Sequence, residues 1–241
     1  MKLKSKELKV LLEKHAPGAL VAFRGVRSYA WNLLVRPEDV FSKIYVENGW
    51  RSPESRSGPG STLDATRSLR AGLPDLLRRL AVRTLLDAPC GDFWLRHAEY
   101  ELHNYVGVDV VRELIEKNQQ TYGTAARDFR SLDIIADPLP SADLVLCRDL
   151  LIHLSFEHGL RVLENFQCSG STWLLCSQYP DIANTHDIMT GGYRAVNLMR
   201  PPFSLPAPNE ELPDDPPSDV QPGRAPRRTM GLWRLADLRL S

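Results

Sequence analysis

The chain has 241 residues, 43% of them apolar, which suits one domain with additions built on a packed core. Thirty Lys and Arg balance thirty Asp and Glu, and that balance argues against nucleic acid or an anionic membrane as a partner. Cys90, Cys147, Cys168 and Cys176 show no C-x-x-C spacing and no accompanying histidine motif. No structural metal site is expected, and scattered cysteines fit the reducing cytoplasm.

The opening MKLKSKELKVLLEKHAPG has no unbroken apolar stretch, so it does not read as a signal peptide. No segment reaches the roughly 20 apolar residues that span a bilayer. Residues 4–15 have the periodicity of an amphipathic helix closed by Pro17 and Gly18. Residues 37–46 predict a second helix, with Pro37 near its first turn. NGWRSPESRSGPGST (48–62) is a loop by composition. From Asp64 to Leu80, the residues Leu69, Leu73, Leu76, Leu77 and Leu80 fall on one helical stripe, which Pro74 is expected to divide into two helices. TLLDA (84–88), NYVGVDV (104–110), RDFRSLDI (127–134), SADLVLCRD (141–149) and STWLLCSQYP (171–180) predict strands. FWLRHAEYEL reads as a short helix or turn, and residues 110–122 and 156–168 as helices. Such alternation implies right-handed crossovers and a parallel sheet covered on both faces. Residues 201–226 hold nine of the eighteen prolines and predict extended loop. TMGLWRL (229–235) predicts a last strand, at an edge or in a hairpin. Basic pairs such as Arg78-Arg79 and Arg227-Arg228 read as solvated faces.

Ligands of an open parallel sheet bind beyond the carboxyl ends of its strands. Here those ends carry Asp87 to Asp92, then Asp109, Asp133, and Cys147 to His153. One carboxylate can accept from both hydroxyls of a ribose, which suits Asp109. An aspartate before a helix also serves as an N-cap, but three in series at strand ends favour a ligand. A dinucleotide would need G-x-G-x-x-G, whereas the first loop offers Gly91 alone between Asp87 and Asp92. Two carboxylates repel a pyrophosphate and attract a cation, so a positively charged adenosyl ligand is expected.

LLDAPCGD, YVGVDVVRELIEKN, FRSLDI and ADLVLCRDLLIHLS together resemble the class I S-adenosylmethionine-dependent methyltransferases over residues 83–180. NGWRSPESRSGPGS and THDIMTGGYRAVNLMRPPFSLPAP look like stretches of a bacterial-type small-molecule subgroup. The resemblance implies a Rossmann-like α/β fold, with a mostly parallel seven-stranded sheet, helices on both faces and an N-terminal helical cap. S-adenosylmethionine is the implied cofactor. Asp87, Cys90 and Gly91 would face its methionine part, Asp109 its ribose, and Leu132 with Asp133 its adenine. Arg148 and Asp149 would lie near the transferring methyl. The usual second glycine of the loop is replaced by Asp92 and Phe93.

His153, four residues after Asp149, is either a base for a hydroxyl acceptor or a histidine that only packs near the site. The loop at 184–205 mixes Asn184, His186, Asp187, Arg194 and Asn197 with apolar residues, as a packed cover over substrate or cofactor would. Trp50 and Arg51 lie in the segment 48–62, which is either an opposing cover with an anion-cradling turn or a flexible linker. The expected organisation is a helical cap with its loop over 1–66 and a Rossmann-like domain over 67–241. The expected activity is methyl transfer to a small-molecule hydroxyl, on a sugar or related metabolite, in the cytoplasm. CRDL replaces the N-P-P-[YF] motif used for base amino groups, which argues against nucleic acid. The rival readings are a non-catalytic cofactor-binding relative and a dinucleotide oxidoreductase.

Overall fold

The computed structural model describes residues 35–98, 100–216 and 226–240. The expected helix at 4–15 and the end of the proline-rich stretch lie outside them. In chain order come α1 (Pro37–Val46), α2 (Arg67–Arg79), β1 (Thr84–Asp87), β2 (Asn104–Asp109), α3 (Arg112–Tyr122), β3 (Arg127–Ser131), β4 (Leu144–Cys147), α4 (Phe156–Cys168), β5 (Trp173–Gln178), β6 (Glu210–Pro213) and β7 (Thr229–Arg234). Residues 94–97 form a short 3-10 turn.

The sheet has seven strands in the order β3-β2-β1-β4-β5-β7-β6. Strands β1 to β5 are parallel, and β7 is antiparallel to both β5 and β6. Leu86 is level with Val106 on one side and Val145 on the other, and Val145 with Leu174. Alternate strand residues face opposite ways, so the sheet builds two cores. Leu86, Val145 and Leu174 pack under α4, against Val162, Leu163 and Phe166. Leu85, Leu144, Leu146 and Leu175 meet the α2 leucines on the other face.

Two expectations fail. Pro74 does not divide the helix: α2 is continuous, with Leu69, Leu73, Leu76 and Leu77 buried. A proline inside a helix costs about 3 kcal/mol. Burying four leucines contributes about 1.5–3 kcal/mol each, so packing wins. The proline-rich stretch is not all loop either, because Glu210–Pro213 forms the edge strand β6. Its pairing with β7 leaves Pro213, which lacks an N–H, at the strand's end, where no ladder bond is lost.

Candidate functional site

In this strand order the chain runs from β1 outward through β2 and β3 and then crosses back to β4 on the other side of β1, and this reversal opens a crevice at the carboxyl ends. A cleft open to solvent lies there. Its floor is made by Pro89 to Gly91 after β1, Asp109 to Val111 after β2, Asp133 to Ile135 after β3 and Arg148 to Leu150 after β4. Pro37, Phe41 and Tyr45, on one face of α1, line it from above, with Trp50, Arg56, Ser57 and Ser61.

Gly91 explains how the first loop closes. Its φ is +50°, and an added Cβ would lie 2.4 Å from Ser57 Oγ. That oxygen accepts from the Asp92 N–H at 2.9 Å, tying the segment 48–62 to the loop. The place of the usual second glycine is filled differently. Phe93 takes a left-handed φ of 58° and is fully buried. Its ring lies 5.0 to 5.4 Å from those of Tyr105, Phe129 and Tyr122, with the Arg127 guanidinium over it at 5.1 Å. Aromatic burial thus outweighs a backbone strain of about 1–2 kcal/mol.

The carboxylates differ in surroundings. Asp109 Oδ1 accepts from the Val111 N–H at 3.0 Å and Oδ2 from the Gly91 N–H at 3.3 Å. Burial raises its pKa to about 6, against the pull of those N–H groups. It therefore caps its own turn and lines the cleft at once. Asp133 lies two residues past β3, and its Oδ1 accepts from the Ile135 N–H at 2.9 Å. Leu132 packs against the core and is not on the cleft wall. Asp87 is behind the wall: Tyr105 Oη donates to its Oδ2 at 2.7 Å, and Oδ1 is buried with no hydrogen bond. Burial pushes its pKa up to about 8. Cys90, fully buried in the turn, has its thiol pushed well up by the same cause.

Arg148 and Asp149 belong to an ion network that the sequence conceals. Arg148 Nη2 meets Asp214 Oδ1 at 3.0 Å and the Ala65 carbonyl at 3.2 Å, and Nη1 donates to the Gly60 carbonyl at 2.7 Å. Asp149, at φ +56°, lies 3.2 Å from Arg148 and 3.3 Å from Arg228. Burial pushes Asp149 up, but Arg148, Arg228 and His153 outweigh it and hold the carboxyl below its ordinary range. Arg228 is thus a partly buried partner of Asp149 and Asp214, not part of a solvated face.

His153 Nδ1 lies 2.7 Å from the Gly192 carbonyl. A carbonyl only accepts, so Nδ1 carries the hydrogen, and neutral His153 keeps its lone pair on Nε2. Burial keeps its pKa below the ordinary histidine value. Trp50 stacks on it with centroids 4.3 Å apart.

The loop 184–205 supports this arrangement from behind. Asp187 Oδ1 accepts from the Phe156 N–H at 2.8 Å, satisfying the start of α4. Asn197 donates to the Pro180 and Ile182 carbonyls, both at 2.8 Å. Arg194 is buried, donates to the Leu154 carbonyl and lies over Phe156 at 4.1 Å. None of the three lines the cleft, and exposed Arg51 occupies a turn outside it. Of the residues expected to hold substrate, only Trp50 is on the wall. Tyr45, Arg56 and Ser61 are there unforeseen.

No protein-family model matches the sequence, and no curated protein does. Solved structures match in fold. An S-adenosylmethionine-dependent methyltransferase from Leishmania major aligns over 83% of this chain and 87% of its own, with a TM-score of 0.58 and 10% identity. N-methyltransferase NodS from Bradyrhizobium japonicum, in complex with S-adenosyl-L-homocysteine, aligns over 81% and 97%, with a TM-score of 0.53 and 14% identity. The methyltransferase domain of bacterial CtHen1 aligns over 70% and 99%, at 0.50 and 10%. The chain therefore has the Rossmann-like fold of the class I S-adenosylmethionine-dependent methyltransferases.

Proposed function

We propose that the protein binds S-adenosylmethionine in this cleft and transfers its methyl group to a hydroxyl of a small molecule, a sugar or related metabolite, in the cytoplasm. The observation that carries the reading is the acidic character of the strand ends at the sheet's switch point. Asp109, Asp133 and Asp149 line the cleft, and Asp87, which burial keeps protonated, has an oxygen without a hydrogen bond just behind the first loop. Such a wall disfavours a pyrophosphate and fits a ligand with cationic groups. Val110, Val111, Ile134 and Ile135 add an apolar surface for a planar base.

The cofactor supplies a methyl group already activated on a sulfonium, so the protein's task is position and proton removal. Asp109, held by two backbone N–H groups, presents its remaining lone pairs to the ribose hydroxyls. Asp133 lies beside the base. Asp149, kept ionised by two arginines, adds negative charge at the end of β4. His153 takes the acceptor's proton on Nε2, since Nδ1 is committed to Gly192. The acceptor would lie beside the cofactor under the roof made by α1 and Trp50.

Calorimetric titration with S-adenosylhomocysteine tests binding, and labelled cofactor with a panel of sugars and sugar nucleotides tests transfer. Absence of binding at millimolar ligand overturns the reading. His153→Gln should lower turnover by roughly 10²–10⁴-fold without weakening S-adenosylhomocysteine. Full activity in that variant would remove the proposed base.

A further inference from the structure

Among the described residues, Tyr193 is the one Phe, Trp or Tyr that stands well out into solvent, at 60% exposure. Its backbone is nonetheless pinned on both sides. The Gly192 carbonyl before it accepts from His153 Nδ1 at 2.7 Å, and the Arg194 N–H after it donates to the Ile152 carbonyl at 2.9 Å. Its hydroxyl is tied inward as well. Burial raises the pKa of the Tyr179 hydroxyl, and a hydrogen bond with Tyr193 adds to that rise. The ring is thus held at both ends while much of its surface stays bare.

Its place gives that bare surface a use. The Tyr193 ring lies 5.9 Å from the ring of His153, which in turn lies 4.3 Å from Trp50 on the cleft wall. Trp50 is fixed too: Gly58, at φ +102°, comes so near that an added Cβ would lie 3.2 Å from Trp50 Cβ. Three rings therefore form a row with the imidazole in the middle. The surroundings are poor in free polar groups. Phe41, Leu150 and Leu154 line the same cleft, and Asp149 is engaged by Arg148 and Arg228. An open-chain polyol would bury hydroxyls here without partners, which weakens binding. A ring with a flat carbon face and a hydroxyl at its edge suits both the aromatic row and His153 Nε2.

We propose that Tyr193, with Trp50, is the stacking platform for the methyl acceptor, which it selects as a hydroxylated ring with a flat carbon face. That face belongs to an aromatic ring or to the C–H side of a pyranose. The proposal rests on the cofactor and base readings above. Tyr193 is then a specificity-determining residue that directs the ring's hydroxyl toward His153 Nε2. Because its ring is held before the acceptor arrives, little freedom is lost on binding.

Phenol, methyl β-D-glucopyranoside and sorbitol, titrated by NMR into protein saturated with S-adenosylhomocysteine, test it. The first two carry the two kinds of ring, and sorbitol carries hydroxyls without one. At least one ring probe should bind at millimolar concentration, about tenfold or more tighter than sorbitol. Tyr193→Ala should weaken that probe about 3–10-fold and Tyr193→Phe should leave it within about twofold, the range of one aromatic stacking contact. Both variants should melt with the parent and bind S-adenosylhomocysteine as it does, since the ring is largely outside the core. Binding of phenol alone assigns an aromatic acceptor and binding of the glucoside alone a sugar ring, and either supports the platform. Equal binding of sorbitol, no binding of either ring, or unchanged affinity in Tyr193→Ala overturns the proposal and leaves the cofactor reading intact. A parent protein that does not bind S-adenosylhomocysteine overturns both.

Discussion

Asp87→Asn should make the protein more stable as pH rises, relative to the parent, although it alters a strand-end carboxylate of the proposed site. The carboxyl is fully enclosed, and burial raises its pKa from 3.8 to about 8. Between those values the unfolded chain has released the proton and the folded protein has not. The folded state therefore binds more protons, so stability present below pH 3.8 is lost as pH rises toward 8. Each pH unit in that window corresponds to about 1.4 kcal/mol, or roughly 4 kcal/mol by pH 7, as an upper limit. Asn has the same shape and no ionisation. Its oxygen can still accept from Tyr105, while an unpaired buried amide costs about 1–3 kcal/mol at every pH. The slope of the difference, rather than its value at one pH, is therefore diagnostic. Urea unfolding of both proteins at pH 5, 6, 7 and 8 gives it, with contributions common to both, such as that of Asp109, cancelling. The variant should gain on the parent with each pH step. Parallel stability curves would refute the buried-acid account.

Three further outcomes are expected. Affinity for S-adenosylhomocysteine should be level above pH 6 and fall about tenfold per unit below it, because Asp109 protonates at about 6 and loses acceptor capacity; calorimetry across pH 5–8 should show this limb flattened in Asp109→Asn. Gly91→Ala should lower stability by about 1–2 kcal/mol and abolish ligand binding, read by thermal melts and titration, since φ +50° and the Ser57 hydroxyl oppose any Cβ. Asp214→Ala should cost about 3–5 kcal/mol in chemical denaturation by leaving Arg148 buried beside a lost partner; a change under 1 kcal/mol would mean that the ion network does not stabilise the fold.

The parallel strands were legible because burial on both faces writes them as continuous apolar runs, as in TLLD and LVLC. The strand-end aspartates followed from that frame, and Asp109 and Asp133 do reach the cleft. β6 escaped notice because Glu210 and Glu211 lie on an edge, where one partner strand suffices and no alternation is needed. The loop 184–205 was misjudged because polar side chains that satisfy backbone, as Asp187 and Asn197 do, look in sequence like groups awaiting a ligand. The segment 48–62 left two readings open in sequence, a cover and a flexible linker, because glycine serves both. Its glycines allow close approach as well as flexibility: a Cβ on Gly60 would lie 2.6 Å from Asp149 Oδ2. The pairing of Arg148 with Asp214 spans 66 residues and leaves no local signature.

That long span also orders events at the ribosome. Arg148 emerges with β4, but its counter-ion is synthesised only after the edge strand β6. Until then a guanidinium destined for burial has only the neighbouring Asp149 to meet, and the strip at Gly60 and Ala65 lacks the fully anchored donor that fastens it. The wall bearing Arg56 and Ser57 should therefore set late, once the C-terminal hairpin docks. Nascent chains ending before residue 214 should hold an open sheet without a finished cleft, which makes ligand competence a report on completed synthesis.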